Sequence, residues 1–441
     1  MNIINHIKQR ISIYRVITAV GFIAAVVLVM VIPAQMSGAS PWAYYYGVKN
    51  FSQGKLVIDD QLYKQQAMET YKQGGILFGY VKIGDNRWAQ EKAPGYIFYM
   101  VPFELMGIPR WGNVLLALGM VVVIYLLLKR IRNELTACIG SLFLIFCPIG
   151  LIMWNRAYMD TFASLAFLVM GAGLYFYYLL EQEKMHAWRG SLMLFFAFFL
   201  IGFSVVTRQS NLLVAIVIAL HFGITRLVSF FKGQRNRLSW EVAASVLGVG
   251  IPAVGLLLYN YYVFGSVLDY GYNYSVMPVE FAYHYLGQVN EAGQSIPLQI
   301  IMDNLKTVPL PLIKGFPLLV IGIPSILVVL YFKFFHKKDK AVGTWSSLRN
   351  ELPWDRLLVL IGWFLSVFGL YMMYEFTAEY LNSVSSFFRY ARYYLPGLFP
   401  IALVSALVVS RLPRKFSAPI VAAIIASGVI LYFQVALNPK A

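Results

Sequence analysis

Residues 111–132 read WGNVLLALGMVVVIYLLLKRIR, and this stretch decides the class of fold. A helix that crosses the hydrocarbon core of a bilayer needs about 20 mostly apolar residues, which is the length of this run. The run ends in Lys129, Arg130 and Arg132, and basic residues are typical of the cytoplasmic ends of membrane helices. The stretch therefore predicts a transmembrane helix whose carboxyl end lies in the cytoplasm.

Ten further apolar runs of similar length flank this one. They cover residues 14–34, 134–153, 160–180, 188–206, 210–230, 240–262, 312–332, 356–375, 394–411 and 416–436. A shorter run, 96–108, contains Pro102 and is more typical of an interfacial or re-entrant segment. The pattern predicts an all-α polytopic membrane protein with about 11 transmembrane helices.

The composition agrees with this class. Of the 441 residues, 59% are hydrophobic and 13% are charged, and the mean hydropathy is +0.65. An average soluble domain has about 25% charged residues, so this chain has too few polar residues to cover a water-exposed surface. The net charge of +16 is typical of basic cytoplasmic loops. Because no nucleic-acid-binding signature accompanies it, we expect a lipid bilayer and no nucleic acid as partner.

Basic residues recur at alternate connections between the apolar runs. They lie before the first run and within 129–132, 184–189, 226–237, 333–356 and 411–415. This bias predicts a multi-pass protein of the plasma membrane with a cytoplasmic N-terminus. We expect one transmembrane domain over residues 1–441, with no separate soluble domain. Two long connections, 35–110 and 263–311, then lie on the extracytoplasmic side, and we expect amphipathic juxtamembrane helices in 35–110.

The connection 35–110 carries an acidic segment, Asp59-Asp60-Gln61-Leu62-Tyr63-Lys64-Gln65-Gln66-Ala67. On a helix, Asp59, Tyr63 and Ala67 share one face because they are four residues apart. Aspartates at the start of a helix are also stabilised by its positive end. The segment therefore predicts either a catalytic acid or the N-cap of a surface helix.

Other candidate residues lie in short segments on the same predicted side of the membrane. These are Glu91 and Lys92 before the turn Pro94-Gly95, Arg156 and Asp160 between two runs, Arg208 in a tight turn, and Arg389 and Arg392 before the tenth run. Extracytoplasmic arginines run against the charge bias and indicate an anionic partner, such as a phosphate bound through paired hydrogen bonds. The alternatives are a simple turn at Pro94, an N-cap at Asp160, and arginines that bind lipid head groups or pair with acidic neighbours.

Together, these residues indicate a lipid-linked substrate that contains phosphate. An aspartate acts as general base towards an acceptor hydroxyl, and an arginine stabilises the charge that grows on a phosphate leaving group. The candidate catalytic residues are Asp59, Asp60 and Asp160. The candidate substrate-binding residues are Tyr63, Glu91, Lys92, Arg156, Arg208, Arg389 and Arg392.

The chain resembles the GT-C fold glycosyltransferases, especially those related to family 39 and to the lipid A aminoarabinose transferases. Residues 59–67 match the acidic motif of that group. The segment 92–107 is similar to its Lys/His-x-Pro segment that leads into a helix ending in Leu/Phe-Gly. Asp160 resembles its second acidic position, 260–266 resembles its Asn-x-x-x-Phe-Gly-Ser segment, and 392–400 resembles its Arg-Tyr-x-x-Pro start of a late helix. An alternative alignment matches 45–55 to the acidic motif and leaves Ser40-Pro41-Trp42 where the aspartate belongs.

The resemblance implies an inverting glycosyltransferase that moves a sugar from a polyprenyl-phosphate donor to an extracytoplasmic lipid, glycan or protein acceptor. It implies Asp59 as base or acceptor anchor, supported by Asp60 and Asp160, with Lys92, Arg208 and Arg392 on the phosphate. A divalent cation, Mg or Mn, shared by Asp59 and Asp160 is compatible with oxygen ligands, although no cofactor is certain. The hexosyl or pentosyl group and the acceptor stay open.

Three other functions are compatible with the same residues. A transporter or flippase for a lipid-linked substrate would use the charges as a gate, although charges are nearly absent from the centres of the runs. A catalytically inactive scaffold of the same fold is what the alternative alignment predicts. A phosphatase or phosphotransferase acting on the lipid carrier would also use the arginines.

Overall fold

The computed structural model describes residues 12–33, 39–233, 238–275, 280–335, 345, 347–375 and 391–437. Helices dominate these residues. In chain order they are α1 (Ile13–Val31), α2 (Ala39–Ser52), α3 (Asp60–Lys72), α4 (Gly95–Leu105), α5 (Pro109–Ile131), α6 (Glu134–Ile145), α7 (Pro148–Asn155), α8 (Asp160–Glu181), α9 (Ala187–Thr207), α10 (Leu212–Phe231), α11 (Leu238–Phe264), α12 (Ile296–Thr307), α13 (Pro309–Gly315), α14 (Leu319–Phe335), α15 (Leu348–Glu351), α16 (Trp354–Met372), α17 (Leu398–Val409) and α18 (Arg414–Ala436). Short 3₁₀ turns cover Gln209–Asn211, Gly271–Tyr274, Ala282–Tyr285 and Arg392–Gly397.

Within the described residues, nine helices are long and apolar enough to cross a membrane. Two bent pairs raise the number of spans to eleven if each pair is counted as one. The α6–α7 pair bends by 58° just before Pro148, and the α13–α14 pair bends by 101°. The eleven runs predicted from the sequence coincide with these nine helices and two pairs, so the predicted class of multi-pass helical protein is confirmed.

The helices α8 and α17 form the centre of the bundle, and both are buried on nearly every side. Close packing around α8 depends on glycine. A Cβ added at Gly171 would lie 2.6 Å from the Ala197 carbonyl oxygen of α9, and one added at Gly248 of α11 would lie 2.5 Å from the Phe195 carbonyl oxygen. Small residues allow membrane helices to approach this closely, because van der Waals packing drives their association. The glycines at positions 171 and 248 therefore allow α8, α9 and α11 to pack side by side in that order.

In its described part, the connection 35–110 contains helices, as predicted, and also a small sheet that the sequence analysis missed. The strands are β1 (Val57–Ile58), β2 (Tyr80–Gly84) and β3 (Arg87–Gln90), in the antiparallel order β1-β3-β2. The two-residue loop between β2 and β3 has Asn86 at φ 55°, a conformation that asparagine tolerates in tight hairpins. The prediction of surface helices alone was therefore incomplete. The overlooked signal was the Asp85-Asn86 pair, a turn between two segments in which apolar and polar residues alternate.

Candidate functional site

Three basic side chains gather where the connection 35–110 meets the ends of the spans. Lys92 follows β3, Arg208 follows α9, and Arg392 opens the 3₁₀ turn before α17. The phenol of Tyr393 interacts with all three of them. Its ring lies 5.0 Å from the Arg208 guanidinium carbon and 5.2 Å from that of Arg392. We call Lys92, Arg208 and Arg392 the basic cluster.

Lys92 is held by one carboxylate and one phenol. Its Nζ lies 3.2 Å from Glu91 Oε2 and donates a hydrogen bond of 3.2 Å to the Tyr272 hydroxyl. Partial burial alone would lower the pKa of the ammonium, but Tyr272 and Glu91 more than reverse this, so its pKa is raised. Lys92 is therefore positively charged at neutral pH.

Arg208 is oriented by hydroxyl groups. Its guanidinium donates to Thr161 Oγ1 at 2.9 Å, to the Tyr371 hydroxyl at 3.2 Å and to Ser210 Oγ at 3.3 Å. Burial opposes its charge, while Tyr371 and Asp160 favour it, and the net effect is a raised pKa. Within the described residues, no carboxylate comes within the 4.0 Å of an ion pair with this guanidinium.

Arg392 is buried and has fewer partners still. One terminal nitrogen lies 3.8 Å from Met159 Sδ, and its Nε has no hydrogen-bond partner. No carboxylate in the described part of the chain forms an ion pair with it. A buried guanidinium normally has its donors satisfied and its charge paired. Arg392 therefore has donor groups and a charge that suit an anionic ligand.

Asp160 is a second carboxylate that interacts with this cluster, after Glu91. It opens α8, and the hydroxyl of the next residue, Thr161, donates to its Oδ1 at 3.3 Å. It also interacts with Arg208 and with the phenol of Tyr44 on α2. Tyr44 is fully buried, and its pKa is raised well above the usual value, first by burial and then by the negative charge of Asp160. The phenol therefore stays protonated beside the carboxylate.

Two glycines bring the separate chain segments of the site together. A Cβ at Gly95 would lie 2.6 Å from the Thr207 backbone nitrogen, so the Pro94-Gly95 turn packs directly on the turn that carries Arg208. A Cβ at Gly271 would collide with the backbone of Glu91. Ser275, in the same connection as Gly271, donates to Glu91 Oε1 at 2.8 Å. Lys92, Arg208 and Tyr272 meet because these two positions have no side chain.

The acidic segment 59–67 has a different local arrangement. Asp59 is exposed and is the N-cap of α3, where its Oδ1 accepts a hydrogen bond of 2.7 Å from the Leu62 amide. Asp60 Oδ1 accepts from Trp88 Nε1 at 2.5 Å, and the Trp88 ring stacks on Tyr63 with centroids 3.8 Å apart. No hydrogen bond or ion pair links Asp59 or Asp60 to the basic cluster in the described residues. Their catalytic role stays a prediction. In the structure Asp59 caps α3, and Asp60 fixes α3 against β3.

The remaining candidate residues are Arg156 and Arg389, which are not members of the basic cluster as defined above. Arg156 is buried at the carboxyl end of α7, and its carbonyl accepts from Asn113 Nδ2 at 3.4 Å. Arg389 lies outside the described residues. Glu375, an acidic residue that precedes this arginine in the chain, accepts a hydrogen bond of 3.0 Å from Tyr285.

The donor groups around Asp160 do not fit a divalent cation shared with Asp59. The neighbours of Asp160 are a guanidinium and two hydroxyl groups, whereas Mg and Mn prefer several carboxylate, carbonyl or water oxygens. In the part of the chain that the structure describes, no group of three or more His, Cys, Asp or Glu residues is arranged to hold a metal ion. We assign no step to a metal.

Sequence reasoning missed the tyrosines that surround the charged groups. Tyr393 is next to Arg392 in the motif 392–400, and Tyr371 ends a span, so both positions gave a local signal. Tyr44 and Tyr272 gave none beyond the general tyrosine content of these connections. Their proximity to Lys92 and Asp160 depends on contacts between residues far apart in the chain.

The fold is shared with known membrane proteins of solved structure. The oligosaccharyltransferase of Archaeoglobus fulgidus in its apo form superimposes with a TM-score of 0.59 at 12% identity, over 97% of this chain and 56% of that one. ArnT from Cupriavidus metallidurans bound to undecaprenyl phosphate superimposes with a TM-score of 0.52 at 12% identity, over 96% of this chain and 64% of that one. The chain has a GT-C fold.

This GT-C chain spans little more than half the length of the archaeal oligosaccharyltransferase. The archaeal protein AglB, also from A. fulgidus, has been solved in complex with an inhibitory peptide and a dolichol-phosphate, and it aligns with a TM-score of 0.59 at 12% identity over 96% of this chain and 56% of that one. No family model and no curated protein sequence matches the chain. At these identities the likeness establishes the GT-C fold, and the activity is argued below from the site.

Proposed function

We propose that this protein is a glycosyltransferase that moves a sugar from a polyprenyl-phosphate donor to an acceptor outside the cytoplasm. The observation that carries the proposal is the basic cluster, in which Lys92 lies with two arginines next to Asp160, and within the described residues neither arginine forms an ion pair with a carboxylate. Among the described residues, three basic groups face two carboxylates, Asp160 and Glu91, so the site favours an added anion. Structural neighbours with the GT-C fold bind undecaprenyl phosphate and dolichol-phosphate.

The basic cluster is proposed to hold the phosphate of the donor. Arg208 and Arg392 present planar guanidinium groups, which match the geometry of phosphate oxygens. Lys92 adds a point charge whose position is fixed by Glu91 and Tyr272. As the bond from the sugar to the phosphate breaks, the three cations stabilise the negative charge that develops on the leaving oxygen.

Asp160 is proposed as the general base. The acceptor hydroxyl oxygen attacks the anomeric carbon while the bond from that carbon to the phosphate oxygen breaks. The electron pair of that bond stays on the phosphate, and the hydroxyl proton passes to the Asp160 carboxylate. A single direct displacement inverts the anomeric configuration. Tyr44 and Arg208 would fix the carboxylate in place.

The acidic segment is proposed to serve the site indirectly. Asp59 caps α3, Asp60 anchors α3 to β3, and β3 leads directly into Glu91 and Lys92. Tyr63 stabilises the same contact through its stacked ring. We assign no chemical step to Arg156 or Arg389. The charge bias of the connections supports an extracytoplasmic site and a cytoplasmic N-terminus.

The test is turnover by the purified full-length chain in lipid nanodiscs. Radiolabelled polyprenyl-phosphate hexoses and pentoses are incubated with membrane extract, and loss of label from the carrier is measured. We expect wild-type turnover that falls at least 100-fold in Asp160→Asn, since general base catalysis contributes about 10²- to 10⁴-fold. The matched variant Asp59→Asn should retain more than half of the activity.

Three outcomes would contradict the proposal. Equal activity of Asp160→Asn and wild type would remove the assigned base. Loss of turnover in Asp59→Asn alone would return the catalytic role to the acidic segment. If polyprenyl phosphate binds tightly but no donor turns over, the inactive scaffold becomes the better interpretation, because α2 presents Tyr44 rather than a second carboxylate to Asp160.

A further inference from the structure

A hydroxyl group lies between the opposite charges of Arg208 and Asp160. The two residues attract each other electrostatically, yet they form no ion pair in the described residues. Thr161 Oγ1 accepts a hydrogen bond of 2.9 Å from the Arg208 guanidinium and donates one of 3.3 Å to Asp160 Oδ1. One hydroxyl can make both bonds, because it has a donor hydrogen and acceptor lone pairs. Thr161 therefore contacts both charged groups and separates them.

The position of this hydroxyl is fixed by the packing of two helices. Thr161 is fully buried in the first turn of α8. The turn that carries Arg208 is tied to the same helix through Asn211, which is also buried. Asn211 Nδ2 donates to the carbonyl oxygens of Ser164 on α8 and Ser204 on α9, each at 3.4 Å. The guanidinium and the hydroxyl therefore come from two segments whose backbones are held against each other.

A direct ion pair between Arg208 and Asp160 would occupy both groups. Guanidinium and carboxylate groups commonly pair through two parallel hydrogen bonds, which would use the donors of the arginine and the oxygens of the aspartate. In the described residues, the guanidinium instead donates to the hydroxyl groups of Thr161, Tyr371 and Ser210. Each terminal nitrogen gives one of these bonds, so each retains an N–H that can reach a phosphate oxygen.

We propose that Thr161 is a positioning residue, a spacer that keeps Arg208 available to the donor phosphate and Asp160 available to the acceptor hydroxyl. The inference rests on the proposed glycosyltransferase function and deepens it, because it links the phosphate site to the base through one side chain. Without the hydroxyl, the Asp160 carboxylate competes with the phosphate for the guanidinium.

The experiment is a double-mutant cycle on the binding of undecaprenyl phosphate to the full chain in nanodiscs, measured by microscale thermophoresis. Thr161→Val removes the hydroxyl and keeps the branched shape. We expect it to weaken binding about tenfold or more, which is the scale of one hydrogen bond to a charged group. In the Asp160→Asn background the same change should weaken binding less than about threefold, because the competing charge is gone. Thr161→Ser, which retains the hydroxyl, should bind within about threefold of the wild type.

The matched control is Thr136→Val, which makes the same change at another fully buried threonine. The Thr136 hydroxyl takes part in two hydrogen bonds, with Asn133 and Ser410, but it lies on α6 and is not part of the basic cluster. We expect its affinity to equal that of the wild type. Thr161→Ala provides a second variant without the hydroxyl, and thermal unfolding separates lost binding from lost folding in every variant.

Each result supports or overturns a distinct statement. An equal loss of affinity from Thr161→Val in both backgrounds overturns the spacer, because Thr161 then acts through packing or through Arg208 alone. Weak binding by a folded Thr161→Ser also overturns it. Absence of undecaprenyl phosphate binding to the wild type overturns the proposed function together with this inference. The expected cycle without turnover of any polyprenyl-phosphate sugar supports the spacer and contradicts only the glycosyltransferase activity.

Discussion

Replacement of Lys92 by methionine tests the proposed phosphate site directly. Methionine retains a long apolar stem but removes the ammonium that lies 3.2 Å from both Glu91 and Tyr272. A hydrogen bond to a charged group contributes about 1.5–3 kcal/mol, and about 1.4 kcal/mol corresponds to a tenfold change in Kd. We therefore expect Lys92→Met to weaken the binding of undecaprenyl phosphate by about 10- to 150-fold.

The assay is microscale thermophoresis of the protein in nanodiscs, titrated with undecaprenyl phosphate at fixed ionic strength. The matched control is Lys82→Met. Lys82 is exposed on β2, in the small sheet that precedes Lys92 in the chain, and it is not part of the basic cluster. It removes the same charge from the same region of the chain. We expect its affinity to stay within twofold of the wild-type value.

The unfolding temperature and the affinity for undecaprenyl phosphate together test the assignment of Lys92 to the phosphate. Lys92→Met should unfold at nearly the wild-type temperature, which separates lost binding from lost folding. A folded Lys92→Met protein that binds within threefold of wild type would refute the assignment of Lys92 to the phosphate. An equal loss in Lys82→Met would show that general surface charge, rather than the cluster, attracts the lipid.

Three further predictions follow from the geometry. Asp59→Ala removes the N-cap of α3 and should lower the free energy of unfolding by about 0.5–2 kcal/mol, measured by chemical denaturation; an unchanged value would contradict the cap. Gly95→Ala places a Cβ 2.6 Å from the Thr207 backbone nitrogen and should reduce turnover. The control is Gly84→Ala, whose added Cβ meets nothing within 4 Å and should leave turnover unchanged. Equal activities of the two variants would show that the close approach at Gly95 is unimportant. Burial and the adjacent Glu375 raise the pKa of Glu280, so its stabilising contribution is full below the ordinary glutamate pKa and is lost as pH rises through the raised pKa. Thermal unfolding between about pH 4 and about pH 7 should therefore depend less on pH in Glu280→Gln than in the wild type, and identical pH profiles would argue against the raised pKa.

The positions of the spans were predictable because the constraint on them is local. Each run needs about 20 apolar residues, whatever its neighbours are, so the run at 111–129 predicts α5 without knowledge of its partners. The bend before Pro148 also has a local cause, since proline disrupts a helix. The small sheet was missed because its first strand has only two residues and its register depends on β3, about 30 positions later.

The sequence also predicted the charged residues of the proposed site but not their grouping. Arg208 and Arg392 were candidates because arginines on the predicted outer side break the charge bias. Lys92 was a candidate because it precedes the Pro94-Gly95 turn and matches the Lys/His-x-Pro segment of the resemblance. Asp59 and Asp160 had similar patterns, since each lies where a helix begins. Only the structure separates them, because Asp59 faces its own helix end while Asp160 interacts with Arg208 and Tyr44.

The sequence by itself determined that this chain is a multi-pass helical membrane protein and which of its polar residues lie near the span ends. The tertiary structure decided which of those residues meet. Close contacts at Gly95 and Gly271 bring segments around residues 92, 208 and 272 together, although they are far apart in the chain. Such contacts depend on the shapes of two surfaces at once, whereas the apolar length of a span is a property of one segment alone.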